Sequence, residues 1–392
     1  MRKGWTETTL GEIAKITSGF AFSTKSWTEE GIPVIKINNV RNGKVTTENC
    51  SYVKAPIPSG SERFILSSGD LLITLTGEIG AIGVVTQNYQ MLLNQRVGRV
   101  DLKSKECIRE FLALFLSNDK VRLEMWSHGK GNAQLNISPK SIESLQLSLP
   151  PLQEQKRIVD LISSVDSYID ALQHQADSAR KSRNAVLHEM LSAGGDGWTE
   201  TRLGEVAQFL NGKAYSKEEL LTEGKYRVLR VGNFFSNQNW YWSDLELEEN
   251  KYCDSGDLLY AWSASFGPRI WKDEKVIYHY HIWKVVEDQR VLRRGWIKYW
   301  LEDDVERMKA AVGTGSIMMH ITKGDMEKRK IAIPPLGIQD EQITILNRLD
   351  DFLRESKTIL EKTRDLRNAL LSDLLSGDHE IPASYDMIMG AA

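Results

Sequence analysis

The sequence predicts an α+β protein: two similar globular domains separated by an antiparallel coiled coil of two long helices, with a pseudo-twofold internal repeat. Three observations predict it. Whole phrases of the first half recur in the second, each half ends in a long heptad-patterned segment, and the remainder is short β-rich runs closed by a helix.

The repeat comes first. Trp5-Thr-Glu-Thr-Thr-Leu-Gly-Glu-Ile-Ala recurs as Trp198-Thr-Glu-Thr-Arg-Leu-Gly-Glu-Val-Ala, and Gly69-Asp-Leu-Leu as Gly256-Asp-Leu-Leu. Pro150-Pro-Leu-Gln-Glu-Gln returns, with three residues inserted, as Pro334-Pro-Leu-Gly-Ile-Gln-Asp-Glu-Gln. Arg183-Asn-Ala-Val-Leu returns as Arg367-Asn-Ala-Leu-Leu. So long a period means domain duplication rather than a solenoid. The expected boundaries are a domain over 1–149, a helix over 150–193, a second domain over 194–333, a second helix over 334–377 and a flexible tail over 378–392.

In the domains, runs such as Pro33-Val-Ile-Lys-Ile and Leu71-Leu-Ile-Thr-Leu alternate with Asn/Gly turns, the pattern of strands. Helices are expected near 106–127 and 294–312. The long segments open on Pro-Pro, which a first helical turn tolerates. Apolar residues then fall four and three apart: Ile158, Ile162, Val165, Ile169, Leu172, Ala176, Ala179, Val186 and Met190, interrupted at Arg183. The second seam is expected at Ile345, Leu349, Phe352, Ser356, Ile359, Thr363, Leu366 and Leu370. A helix of about 40 residues is roughly 60 Å long, so the repeat sets the two domains at opposite ends of a spacer, and the second helix buries its seam by folding back antiparallel.

Composition narrows the class. With 41% hydrophobic and 26% charged residues over 392, the chain is an ordinary globular protein. No apolar run is long enough for a membrane span, and the start lacks the core of a signal peptide, so a cytoplasmic protein is expected. Cys50, Cys107 and Cys253 are too few and too scattered for a disulfide framework or a thiolate metal site. The net charge of −3 argues against a bulk electrostatic DNA binder, though residues 1–149 carry a basic excess and 334–392 an acidic one.

Catalytic motifs are missing from the sequence. No phosphate-binding G-x-x-x-x-G-K-[ST] occurs, and Gly77-Glu-Ile-Gly-Ala-Ile-Gly83 spaces its glycines as a turn and strand rather than a dinucleotide loop. No Asn/Asp-Pro-Pro-aromatic element is present, and no hydroxyl sits in a G-x-S-x-G context. His279 and His281 alternate on an expected strand without a third ligand nearby, so no metal site is expected.

The strings W-T-E-T-x-L-G-E-[IV]-A, then G-D-L-L, then L-P-P-L-x-E-Q ahead of a heptad helix resemble the specificity subunits of type I restriction–modification enzymes. The resemblance covers about residues 4–377, in both halves. It implies two target-recognition domains, each reading one half of a bipartite DNA sequence, and helices that dock two modification subunits. S-adenosylmethionine, ATP and Mg would then belong to partner subunits, a restriction subunit among them, with no cofactor and no chemistry on this chain. The competing readings are a DNA-binding scaffold acting alone and a stand-alone methyltransferase or nuclease.

Base edges in the major groove are read by Arg and Lys at guanine and by Asn and Gln at adenine. In the first half those side chains gather at Lys36, Asn38, Asn39, Arg41 and Lys44, with Thr76 and the pair Asn94 and Arg96 as further stretches. The second half offers Arg230, Asn233, Asn237, Gln238 and Asn239, then Ser265 and Arg269. Its many tryptophans are expected to be mostly core. On the helices, Leu161, Leu187, Leu191, Leu346, Leu353, Leu360 and Leu374 fall off the expected seams. A second apolar stripe of that kind suits a partner surface.

Overall fold

The computed structural model of the chain describes residues 4–129, 135–235, 237–263, 265–312, 321–382 and 384–386. It divides into two compact units, Met1–Gln173 with Thr358–Ala392, and His174–Lys357. Each unit combines one globular domain with a stretch of each long helix.

In the first unit, Thr6–Thr9 pairs antiparallel with Gln146–Leu149, tying the start of the domain to its end. A six-stranded sheet runs in the order Ala14–Ser18, Val97–Leu102, Leu71–Thr74, Ile82–Val84, Gly43–Val45, Val40–Arg41. Leu71–Thr74 is buried along its whole length, as a central strand covered on both faces must be. A four-stranded sheet runs Ser51–Val53, Ile32–Ile35, Met91–Leu93, Ile65–Leu66, with Ile32–Ile35 and Met91–Leu93 parallel. The expected helix near 106–127 is two helices, Arg109–Ser117 and Asp119–His128. Asn118 breaks them and accepts from the Lys120 N–H at 2.9 Å, capping the second.

The second unit repeats this plan. Thr199–Arg202 pairs with Lys330–Ile333. One sheet runs Ala207–Asn211, Ile282–Glu287, Leu258–Ser263, Ser265–Ile270, and another Tyr241–Ser243, Tyr226–Leu229, Val276–Tyr278, Tyr252–Cys253. The closing helix is unbroken, Arg294–Val312. Trp271, Trp283, Trp296 and Trp300 are buried, which accounts for four of the second half's tryptophans as core.

Both long helices are 41 residues, Leu152–Ser192 and Leu336–Ser376. Within the first unit, Arg367 pairs with Asp166 at 2.8 Å and Arg364 reaches Gln173 at 3.1 Å. Within the second, Arg183 pairs with Asp350 at 2.9 Å, and Gln342 donates to the Met190 carbonyl at 3.1 Å. In each unit the helices therefore run antiparallel. Arg183, which interrupts the heptads, is buried and bonds Glu302 as well, at 2.7 Å.

Two sequence expectations are corrected here. The Pro-Pro-Leu motif carries no insertion. Gln155 and Gln339 are both fully buried and make the same three bonds. Gln155 donates to the Pro150 and Glu106 carbonyls and accepts from the Ile108 N–H. Gln339 donates to the Pro334 and Val291 carbonyls and accepts from the Arg293 N–H. Aligning Gln155 with Gln342 instead had moved the second seam by three residues. The buried side of that helix is Leu346, Leu360, Leu371 and Leu374, while Ile345, Phe352, Ile359 and Leu366 are exposed. The second correction concerns the tail. Ile381 is buried, Tyr385 packs on the first unit's core, and Asp386 forms a two-pronged ion pair with Arg157. Residues 378–382 and 384–386 are held in place by these contacts; 387–392 lie outside the described residues.

Candidate nucleic-acid interface

At one end of the first domain the chain leaves Ile32–Ile35 through Lys36 into a short 3₁₀ turn, Ile37–Asn39, and then a hairpin of Val40–Arg41 and Gly43–Val45. Asn42 and Gly43 take positive φ (52° and 75°), the two-residue turn that Asn-Gly favours. The hairpin lies parallel to Ile82–Val84, so close that a Cβ on Gly83 would come within 2.7 Å of the Lys44 carbonyl oxygen. That contact accounts for the last glycine of the Gly77–Gly83 run. Arg41 and Lys44 are exposed, and among the described residues no hydrogen bond or ion pair engages either side chain.

The other expected stretches converge on the same end. Asn94 N–H donates to the Ile35 carbonyl at 3.1 Å, Leu75 N–H to the Arg96 carbonyl at 2.9 Å, and Gly77 abuts Ile37. Arg96 and Asn38 are exposed. Lys36 is half-buried, reaching Ser51 Oγ at 2.5 Å with its ammonium 4.0 Å from the Trp27 ring centroid. Burial lowers its pKa, Cys50 opposes this, and nearby Arg96 lowers it further.

Three of the expected base readers are inside the fold. Asn39 is buried, its amide accepting from the Lys36 N–H and donating to the Glu48 carbonyl, both at 3.1 Å. Asn94 is buried and accepts from the Arg96 N–H at 3.2 Å. Thr76 is buried against Asn136 at 3.3 Å. Side chains that satisfy buried backbone groups are spent on shaping the turns. They position Asn38, Arg41, Lys44 and Arg96 rather than presenting themselves to a ligand.

The second domain builds the same end differently. After Tyr226–Leu229, Arg230 is exposed with its guanidinium 5.1 Å from the Tyr241 ring centroid, and a single helical turn, Val231–Phe235, replaces the hairpin. Asn233 donates to the Asn237 and Asn239 carbonyls at 3.1 and 2.8 Å, and Asn237 accepts from the Asn239 N–H at 2.8 Å. These two asparagines brace the loop; Gln238 and Asn239 stand exposed at its rim. Arg269 bonds the Phe234 carbonyl and lies over the Phe234 ring, which orients its exposed guanidinium beside the loop. Ser265 is described by its backbone alone, opposite Ser263 across the hairpin.

Sequence reasoning missed one stretch in this domain, His279-Tyr280-His281. These residues follow the strand Val276–Tyr278 as a turn rather than lying on it. The turn is the counterpart of Asn94-Gln95-Arg96: Phe20 bridges to Asn94 in one domain and Lys213 to His279 in the other, both parallel. The repeat register carried that signal, and the change of residue type concealed it. Burial, with His281 and Arg230 nearby, pushes His279 down to about 4, which leaves it neutral at neutral pH. Among the described residues no group of three or more His, Cys, Asp or Glu side chains could hold a metal ion.

The model of the type I restriction modification DNA specificity domain matches residues 2–178 and again 195–363, once per repeat. The chain belongs to this family. The type I restriction enzyme MjaVIII specificity subunit of Methanocaldococcus jannaschii is 26% identical over 193 residues, 48% of this chain and 45% of that protein. That alignment therefore spans less than half of the relative's length. The putative type I restriction enzyme MjaX specificity subunit of the same organism is 20% identical over 400 residues, 95% of this chain and 93% of the other. In fold, the chain resembles a solved chain from work on complex assembly and conformational transition of the type I R-M system. The TM-score is 0.66 at 18% identity, over 97% of this chain and 99% of that one. As a specificity subunit of a type I restriction–modification system, the chain is non-catalytic.

On the helices of this specificity subunit, Leu187, Leu346, Leu360 and Leu374 are buried, and Leu161, Leu191 and Leu353 are partly buried. The four buried leucines are seam and core residues, which corrects their expected role as a partner surface. Besides Leu152 and Tyr168 on the first helix, the second exposes five large apolar residues, Ile338, Ile345 and Phe352 in the second unit and Ile359 and Leu366 in the first. They recur every seventh position and so share a helix face. Among the described residues no helix is long and apolar enough to cross a membrane.

Proposed function

We propose that this chain supplies DNA-sequence recognition to a type I restriction–modification complex in the cytoplasm, each domain reading one half of a bipartite duplex target. The observation that carries the reading is the strand-end face built twice on one frame. Three connections converge there in each domain, and the displayed side chains differ between the copies. Similar frames with different readers suit a split, asymmetric site. In the first domain Asn38, Arg41, Lys44 and Arg96 carry base and phosphate contacts. In the second, Arg230, Gln238, Asn239 and Arg269 do.

The helices dock two modification subunits, and the exposed Ile345, Phe352, Ile359 and Leu366 supply the apolar contact. S-adenosylmethionine, ATP and Mg act on the partner subunits, which methylate adenine or, with a restriction subunit, cut unmethylated DNA.

Exchanging residues 200–325 for the equivalent stretch of another family member tests this. Methylation profiling of host DNA is expected to show one half-site changed and the other intact. Both half-sites changing together, or no bipartite motif at all, would refute independent readers.

A further inference from the structure

We propose that Tyr280 and His281, held in place by His279, form a base-contacting element of the second domain and read thymine through apolar ring contact. This rests on the reading of that domain as a DNA reader and adds to it a chemistry that its Arg and Asn residues do not supply.

The argument begins with backbone equivalence. His279 N–H donates to the Leu229 carbonyl as Asn94 N–H donates to the Ile35 carbonyl. Trp262 N–H donates to the His281 carbonyl as Leu75 N–H donates to that of Arg96. A Cβ on Gly212 would collide with the Tyr278 and His279 carbonyls, and one on Gly19 with those of Leu93 and Asn94. The two turns are therefore the same piece of structure. Each is closed in the same way: His279 Nδ1 accepts from the His281 N–H at 3.4 Å, where Asn94 Oδ1 accepts from that of Arg96. The first residue shapes the turn; of the next two, Gln95 and Arg96 are exposed in one domain, while in the other Tyr280 is exposed and His281 is partly buried.

What is displayed differs in kind. In the first domain it is Gln95 and Arg96, an amide and a cation, both exposed. In the second it is a packed group of rings. Tyr280 lies 4.0 Å from His281 and 6.1 Å from Trp262, and His281 lies 5.0 Å from Trp262, measured between centroids. Tyr280 is 39% exposed, and no hydrogen bond reaches its hydroxyl among the described residues. A ring edge held rigid by its neighbours suits the methyl group that thymine alone presents in the major groove.

The test uses the full chain co-expressed with its modification subunit in a host free of other adenine methylation, together with binding by the purified complex. Tyr280→Ala and His281→Ala are each expected to relax one position of the second half-site about ten-fold and leave the first half-site unchanged. Replacing thymine by deoxyuridine at the relaxed position is expected to weaken the parent complex several-fold and the Tyr280→Ala complex not at all. If Tyr280→Ala lowers the melting temperature, Tyr280→Gln, which takes the residue of the first domain, carries the same expectation. An unchanged second half-site, insensitivity of the parent to deoxyuridine, or equal weakening on every sequence would overturn the proposal. A parent that yields no bipartite motif would instead overturn the reading of the domains as DNA readers.

Discussion

Replacing Gln339 by methionine keeps the length and volume of the side chain and removes all three of its hydrogen bonds. What remains are the Arg293 N–H and the Val291 and Pro334 carbonyls, all bonded by this one amide at 2.7–2.8 Å around a side chain with no exposure. A buried polar group stripped of its partner costs about 1–3 kcal/mol, and carbonyls sit at the low end. The sum is about 3 kcal/mol for the second unit. For a body of 150–250 residues each kcal/mol moves the melting temperature by roughly 2–4 °C, so a fall of about 6–12 °C is expected. Gln155→Met removes the same set of bonds from the first unit and is expected to match it. Gln342, partly exposed and bonded to the Trp296 indole and the Met190 carbonyl, serves as the comparison and is expected to cost about 1 kcal/mol. Scanning calorimetry of the full chain measures all three. Losses under about 1 kcal/mol for both Gln155 and Gln339 would refute the assignment of these glutamines as the joints between domain and helix.

Other outcomes follow from the same contacts. Arg41→Ala is expected to lose about 1–3 kcal/mol of discrimination at one first-half-site position in a binding library; equal weakening on all sequences would mark a phosphate contact. Phe352→Asp is expected to abolish co-purification with the modification subunit while leaving the melting temperature within about 2 °C, because the side chain is exposed. Ending the chain at Gly377 exposes the pocket of Ile381 and is expected to cost the first unit about 2–3 kcal/mol in denaturant titration. Asp350 is pushed up by burial, but the Arg183 hydrogen bond, with Lys298 and Tyr299, outweighs this and holds it below the ordinary carboxylate range. Its contribution is full at neutral pH and is lost as pH falls through the depressed value, so Asp350→Asn is expected to flatten the acid limb of the second unit's stability curve.

The fold class was legible because duplication and heptads are long-range patterns that survive substitution. Phase was not. Gly337 and Ile338 look like an insertion beside Gln153 and Glu154, but Pro150 to Pro334 and Arg183 to Arg367 keep one offset, and the bonds of Gln339 identify it as the counterpart of Gln155. From that slip came an exposed seam on the second helix and the placing of Leu346, Leu360 and Leu374 off it; the burial of Leu187 on the first helix, packed with Tyr299 and Leu346, has a different origin. At the candidate interface, Arg41, Lys44 and Arg96, picked by residue type as base readers, stand exposed. Residue type misjudged Asn39 and Asn94, because asparagine serves a turn as readily as a base edge. In the sequence His279 and His281 stand out only as candidate metal ligands, because a rule for base contacts keyed to Arg, Lys, Asn and Gln passes over rings.

The buried glutamines also bear on inheritance. Gln155 and Gln339 grip their domains entirely through peptide N–H and C=O groups, at Glu106, Ile108 and Pro150 in one half and at Val291, Arg293 and Pro334 in the other. A socket made of main chain is indifferent to the side chains displayed at the far end of the domain. Recombination that brings in a foreign domain up to the Pro-Pro step therefore meets a joint that already fits, and a lineage can acquire a new domain in a single exchange without refining the connection again.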